Sequence, residues 1–225
     1  MQVTTATRLI GFDTSVYVNP KYHKLLRNAG YSFAVRYIWR TKAVNSTPNS
    51  GWPCALSKQE LTELLDSGFG VSIVQFANNS SFIPTKSDGT SVGEAAAYNA
   101  LGLGIPVGAT LWCDAEWSST TPDSKAVLDY LNAWAEPVIA VGYEAGLYVG
   151  PNQGLTGDQL YGCLNKFNHY WKCASIVPWV SNRGFQMFQG AQTTLFKTDS
   201  DQGLLVDQDI VCYDNKNERF KLVIK

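Results

Sequence analysis

Leu111-Trp112-Cys113-Asp114-Ala115-Glu116-Trp117 reads as an apolar strand that ends in two carboxylates one residue apart. Side chains two apart on a strand share a face, so Asp114 and Glu116 are expected to project together beyond the strand's C-terminal end. A solvated Asp-x-Glu triplet is commonplace. One at the end of a buried strand is not, because a carboxyl in apolar surroundings costs free energy unless it is paired or protonated.

The same pattern recurs on both sides of this run. Arg8–Asp13, Tyr31–Ile38, Gly70–Phe76 and Gly146–Gly150 read as further strands, and Pro106–Glu116 holds the fourth. Between them lie helical segments. Pro20–Gly30 has Pro near its start and Gly as its stop, and Ser57-Lys58-Gln59-Glu60 is a capping box that opens a helix through Leu61, Leu64 and Leu65. Thr90–Gly104 is Ala-rich, Pro122–Val141 is apolar at helical spacing with a break or kink expected at Pro137, and Thr156–Asn165 is short. After that the reading is of strands alone: Ser175–Val180, Phe185–Gln189 and Leu204–Cys212, with Asn217–Lys225 as a further edge strand. The link Ser181-Asn182-Arg183-Gly184 is too short for a parallel crossover, which predicts a hairpin there.

Alternating β-α units imply an α/β fold with a parallel sheet; about five such units closed by about three further strands make an irregular TIM-type barrel. A doubly wound sheet is the competitor, but no Gly-x-Gly-x-x-Gly follows the first strand. Residues 1–225 are read as one domain, with rim loops at Lys42–Ala55 and Asn78–Gly89.

With 45% apolar and 16% charged residues the chain can bury a substantial core. A formal net charge of −1 gives no basic field for nucleic acid or anionic lipid, so no nucleic-acid partner is expected. No apolar run is long enough to predict a membrane span, and Met1–Arg8 lacks the apolar core of a signal peptide. Cys54, Cys113, Cys163, Cys173 and Cys212 have no metal-type spacing; a bridge between Cys163 and Cys173 stays open, and the remaining thiols read as packing. His23 and His169 fall on or beside predicted helices, which leaves no Ser-His-Asp triad or His-rich metal site, and no phosphate-cradling Gly-x-x-x-x-Gly-Lys motif is present. Neither metal nor cofactor is expected.

In α/β barrels, reacting groups sit at the C-terminal ends of strands. Here those ends carry Asp13; Arg36 and Tyr37; Gln75; Asp114 and Glu116, followed by Trp117; Tyr148; Trp179; Gln186 and Gln189; and Asp207 and Asp209. Arg36 reads either as a counter-ion for Asp13 or as a substrate contact. Tyr37, Tyr148 and Trp179 read either as wall packing or as sugar platforms. Of Asp207 and Asp209, one can bond loop backbone while the other enters the site. Paired carboxylates among aromatic rings are what glycoside hydrolysis needs, and Glu116 is the candidate acid.

The ordered set Gly11-Phe12-Asp13, Ala34-Val35-Arg36-Tyr37, Val74-Gln75, Asp114-Ala115-Glu116, Gly146-Leu147-Tyr148-Val149-Gly150 and Val206-Asp207-Gln208-Asp209 resembles the bacterial glycoside-hydrolase-like barrel domains related to Chalaropsis-type lysozymes, glycoside hydrolase family 25. That resemblance implies a barrel cleft that cuts N-acetylmuramyl linkages in peptidoglycan or a related N-acetylated glycan. It implies Glu116 as proton donor, Asp114 as the group that orients the acetamido substituent or stabilises positive charge, and Asp13 with Asp207 or Asp209 as an acidic floor. Arg36, Tyr37, Gln75, Trp117, Tyr148, Trp179 and Gln189 would line the substrate. Chitinase-like barrels need a longer acidic run, and Trp112 stands where its middle Asp would be. The alternative is a non-hydrolytic glycan- or cell-wall-binding barrel that keeps the cleft. With no leader read, the expectation is synthesis in the cytoplasm and action at the cell wall or periplasm after non-classical export or lysis, with an immunity protein as partner if the chain is a delivered toxin.

Overall fold

The computed structural model describes residues 1–225 except positions 8, 50, 52, 80 and 117–122, so Arg8 and the candidate Trp117 lie outside the described residues. The chain enters through β1 (Gln2–Thr5) and then builds β2 (Ile10–Thr14), a helical turn leading into α1 (His23–Asn28), β3 (Phe33–Ile38), α2 (Lys58–Asp66) and β4 (Gly70–Gln75). It continues with α3 (Lys86–Leu103), β5 (Thr110–Asp114), α4 (Ser124–Val141), β6 (Glu144–Val149), α5 (Gly157–Gly162) and β7 (His169–Lys172). The strands β8 (Met187–Leu195), β9 (Leu204–Val211) and β10 (Lys221–Ile224) complete it.

β2 through β8 pair with their sequence neighbours in parallel, and β9 runs antiparallel between β8 and β2. These eight strands close a ring. Among the described residues the ring consists of five β-α units followed by three strands, which is the irregular TIM-type barrel expected. β1 and β10 pair antiparallel outside the ring and attach to β4 through Val223 and Val71.

Two apolar layers result from the two-residue period of the strands. One lies between ring and helices, where Phe12, Ala34, Ile38, Val71, Ile73, Leu111 and Leu147 meet the apolar faces of α2, α3 and α4. The other fills the barrel with Phe33, Val35, Val74, Trp112, Tyr148, Trp171, Met187 and Phe220. Two glycines make room for the largest rings: a Cβ on Gly11 would lie 2.3 Å from the Phe33 ring, and one on Gly146 2.4 Å from the Trp112 indole. Phe220, just before β10, packs edge-on against Phe33 and Trp112, so the terminal strand pair closes the barrel's lower end.

Several expectations are corrected. Ser175–Val180 is not a strand: Pro178 has no N–H to give a ladder, and Ile176 is fully exposed. The strand before β8 is His169–Lys172, it pairs in parallel, and the hairpin falls between β8 and β9 instead. His169 therefore lies on a strand, buried, and His23 is buried as well. At Pro137 α4 is continuous, so no break falls there; the bridge left open between Cys163 and Cys173 is absent, all five thiols being unbridged.

α3 and α4 approach closely because Gly89 and Gly93 leave their contact face bare. A Cβ on Gly93 would sit 2.2 Å from the Trp134 carbonyl oxygen and 2.9 Å from the Pro137 ring, backbone and rigid ring that cannot give way cheaply. Gly93→Ala is therefore expected to destabilise the fold by about 1–3 kcal/mol. Gly162→Ala, where nothing lies within 4 Å, should leave the urea midpoint nearly unchanged.

Candidate active site

The strand ends converge at the C-terminal mouth of the barrel. Asp13, one residue before the end of β2, faces inward and is buried; its Oδ1 accepts from the Tyr37 hydroxyl at 3.1 Å and its Oδ2 from the Gln189 side-chain amide at 2.8 Å. The Gln189 Oε1 in turn accepts from the Tyr148 hydroxyl at 2.8 Å. Four strands thus tie one carboxylate into a chain of hydrogen bonds. Asp207, register partner of Asp13 on β9, is half-buried and receives Gln192 Nε2 at 3.4 Å. Because β9 is antiparallel, Asp209 lies deeper, beside Gly11 and Gln189, and has no solvent exposure.

Asp114 is the last residue of β5 and is buried. Its Oδ1 accepts the backbone N–H of Glu116 at 3.0 Å. That local bond is an Asx turn, and it replaces the extended same-face arrangement expected of the triplet. Ala115 still bonds the Tyr148 carbonyl, so Glu116 leaves the ladder just beyond β6. Gly150 lets it pass, since a Cβ there would lie 2.7 Å from the Glu116 Cβ. Glu116 is half-buried and feels the charge of Asp207 across the mouth.

Burial raises every one of these carboxyls, and repulsion from a neighbouring acid adds to the rise at Asp13, Asp114, Glu116 and Asp209. Asp13 is pushed up to about 7, mainly by burial, with the Gln189 bond pulling it back and the Asp207 charge adding to the rise. Asp114 is held well above the usual carboxylate range by burial, then by Glu116 and Asp13, while the Arg40 charge opposes. Burial, followed by Asp207, raises Glu116. Burial raises Asp207 against the Gln192 bond, and burial with Asp13 raises Asp209 far more. A half-buried glutamic acid whose affinity for its proton is raised by burial and by a neighbouring carboxyl suits the role of a general acid.

Not every expected residue joins this group. Arg36 points to the outer face of β3, where its guanidinium grips Glu60 of α2 at 2.7 and 3.2 Å and bonds the Thr14 and Cys54 carbonyls. It neither neutralises Asp13 nor faces the mouth. Gln75 also points outward, accepting from the Trp134 indole at 2.7 Å and donating to the Val92 carbonyl. Trp179 lies in the connection before β8, half-exposed, packed edge-on against Phe185 and beside Phe188 outside the ring. Gln186 bonds His169 and Asp214, away from the mouth. The sequence reading overlooked Arg40, Asn78 and Gln192. Arg40, bonded to Asn78 and the Ala77 carbonyl, sits two residues past the end of β3, beyond the last strand positions considered. Among the described residues no cluster of three or more His, Cys, Asp or Glu is arranged to hold a metal ion.

This barrel and its acidic mouth define a glycoside-hydrolase-like fold. The family model described as Rv2525c-like, glycoside hydrolase-like domain matches residues 24–211, and the chain belongs to that family. No curated protein sequence matches it. Among solved structures it is similar to an uncharacterized B. stearothermophilus protein (18% identity, 91% of this chain and 96% of that one, TM-score 0.64). It is similar also to a family 25 glycosyl hydrolase from Bacillus anthracis (15% identity, 90% and 88% coverage, TM-score 0.59). A third is the modular autolysin LytC from Streptococcus pneumoniae, solved with a synthetic peptidoglycan ligand (14% identity, 90% of this chain and 46% of that one, TM-score 0.55). At these identities the likeness is one of fold.

Two predictions follow from the electrostatics. A raised Asp13 holds its proton up to about pH 7 in the folded chain, whereas the unfolded chain loses it near 3.8. The folded state therefore binds more protons across that window, and stability falls as pH rises through it, by about 1.4 kcal/mol per unit for each extra proton. Glu144, lowered to about 2 through its bonds to His169 and Lys221, works the other way, its stabilisation being lost only as pH falls toward 2. Thermal unfolding should thus be latest in mildly acid buffer, and Asp13→Asn should flatten the decline toward neutral pH. Arg36→Leu, which leaves Glu60 buried and unpaired, is expected to cost about 3–5 kcal/mol in urea denaturation.

Proposed function

We propose that this chain is a peptidoglycan-cleaving glycosidase of the muramidase type. Glu116 donates a proton to the glycosidic oxygen, and Asp114 stabilises the positive charge that develops at the anomeric carbon or orients the neighbouring acetamido group. Asp13 and Asp207 complete a negative surround, with Tyr37, Tyr148 and Gln189 fixing the Asp13 carboxylate. Such an enzyme acts at the cell wall. The observation that supports this reading most is the pairing of a half-buried Glu116, whose acidity burial weakens, with carboxyls from β2, β5 and β9 at one barrel mouth. The family membership and the likeness to a family 25 hydrolase favour the same chemistry.

Zymography on purified cell walls, comparing the native chain with Glu116→Gln, tests it. The native chain is expected to clear the walls and the variant to lose activity by about 10²–10⁴-fold while unfolding at the same temperature. Wall binding by both chains with lysis by neither would point instead to a glycan-binding barrel. Absence of both activities would refute any peptidoglycan-directed reading.

A further inference from the structure

Asp209 is the one side chain at the barrel floor whose chemistry remains unexplained. It has no solvent exposure, and neither carboxyl oxygen receives a hydrogen bond from a donor group. The indole N–H of Trp171, which faces it, is likewise unbonded. An ionised carboxylate left in that state would be costly, since burying a charge without donors or a counter-ion is among the most unfavourable arrangements a core can hold. Among the described residues no cation relieves it: Arg36 is engaged with Glu60 outside the ring, and Arg40 acts on Asp114.

Its neighbour resolves the problem. Asp13 and Asp209 are inward residues of adjacent antiparallel strands, Asp209 standing opposite Gly11, two positions before Asp13, so the two carboxyls share one side of the barrel interior. Both Asp13 oxygens already accept bonds, from Tyr37 and from Gln189, whose amide is oriented by the Ala174 N–H and Tyr148 hydroxyl on its Oε1. An oxygen pair that accepts twice is the one that ionises first, Asp13 at about pH 7, so the proton that remains above that point belongs on Asp209. We propose that Asp209 is a positioning residue that keeps a proton at neutral pH and donates it in a hydrogen bond to the Asp13 carboxylate, so that the two carboxyls carry a single negative charge.

The groups facing this pair are Tyr37 on β3, Asp114 on β5 with Glu116 beyond it, Tyr148 on β6, Trp171 on β7, Gln189 on β8 and Asp207 on β9. All are neutral donors or acids, which is why one proton must stay. The consequence for turnover rests on the glycosidase reading: a single charge at the floor steadies a cationic sugar without drawing Glu116's proton inward. The location of the proton does not rest on it.

Carboxyl-detected NMR of the full chain, titrated with pH, is the test. Asp209 is expected to remain protonated through pH 7. In Asp209→Asn, a neutral donor of the same shape, the Asp13 midpoint should stay within about 0.5 unit of the native one, whereas a drop of about 1 unit would mean that Asp209 is charged and would overturn the proposal. In Asp209→Ala, which removes the donor, it should lie above that of Asp209→Asn. If cell-wall lysis is observed, the pH profile of kcat should move with the Asp13 midpoint, a change that a purely structural role would not produce. An Asp209 ionised at neutral pH, or an Asp13 midpoint equal in Asp209→Asn and Asp209→Ala, overturns the proposal. Should either variant fail to fold, the Asp209 titration in the native chain decides by itself. A native chain that leaves walls intact while Asp209 stays protonated would sink the glycosidase reading and leave this one standing.

Discussion

The close packing of Phe33 and Trp112 against bare glycine backbone sets the height of everything above it in the barrel. With Gly11 and Gly146 in place the two rings fill the lower half, together with Trp171 and Phe220. A strand's inner positions come every second residue, so the next inward side chain along each strand has to stand above that plug. Those residues are Asp13 after Gly11, Tyr37 after Val35, Asp114 after Trp112, Tyr148 after Gly146 and Gln189 after Met187. An aromatic floor and a polar ceiling are therefore two readings of one register. A side chain larger than hydrogen at Gly11 or Gly146 would displace a ring and, with it, the carboxylates resting over it.

That stacking also explains the electrostatics. A carboxyl placed over indole and phenyl rings is cut off from water on one side, and burial is the leading cause of the rise at Asp13, Asp114, Glu116, Asp207 and Asp209 alike. The buried Arg36–Glu60 pair lies on the opposite side of β3, where it secures α2 and cannot discharge the mouth. Segregating the strongest cation outside and the acids inside lowers stability near neutral pH. A chain selected for stability alone would have little reason to keep such an arrangement.

Much of this was legible in the sequence, for reasons that mark where it stopped being so. Five β-α units and the last two closing strands could be read because each has its own apolar run and stop signal, whereas the first closing strand, His169–Lys172, was missed; the acids at strand ends could be read because they interrupt those runs. Parity was harder. Arg36 and Gln75 stand beside inward residues, and nothing in Ala34-Val35-Arg36-Tyr37 or Val74-Gln75 says which member of the pair looks in; the ring's register decides it. Trp179 misled because Ile176 and Val177 have strand-like character, whereas Pro178 prevents a ladder. The turn at Glu116 depends on a side-chain bond from Asp114 that no periodicity encodes.

The division between mouth and floor bears on whether the barrel binds or cleaves. A module that only holds a glycan gains from donors and acceptors that are fully paired with the ligand, and from aromatic faces. It gains nothing from carboxyls whose protons are retained by burial, because such groups weaken the fold and are poor at fixing a neutral sugar. A hydrolase needs them: one acid must carry a proton at the working pH, and a negative surround must wait for a charge that exists only in the transition state. The half-buried Glu116 and Asp207, with Asp13, Asp114 and Asp209 buried beneath them and above the aromatic plug, suit that distribution. Among the described residues acids outnumber cations at this mouth, and that imbalance, more than the fold itself, favours the hydrolase reading.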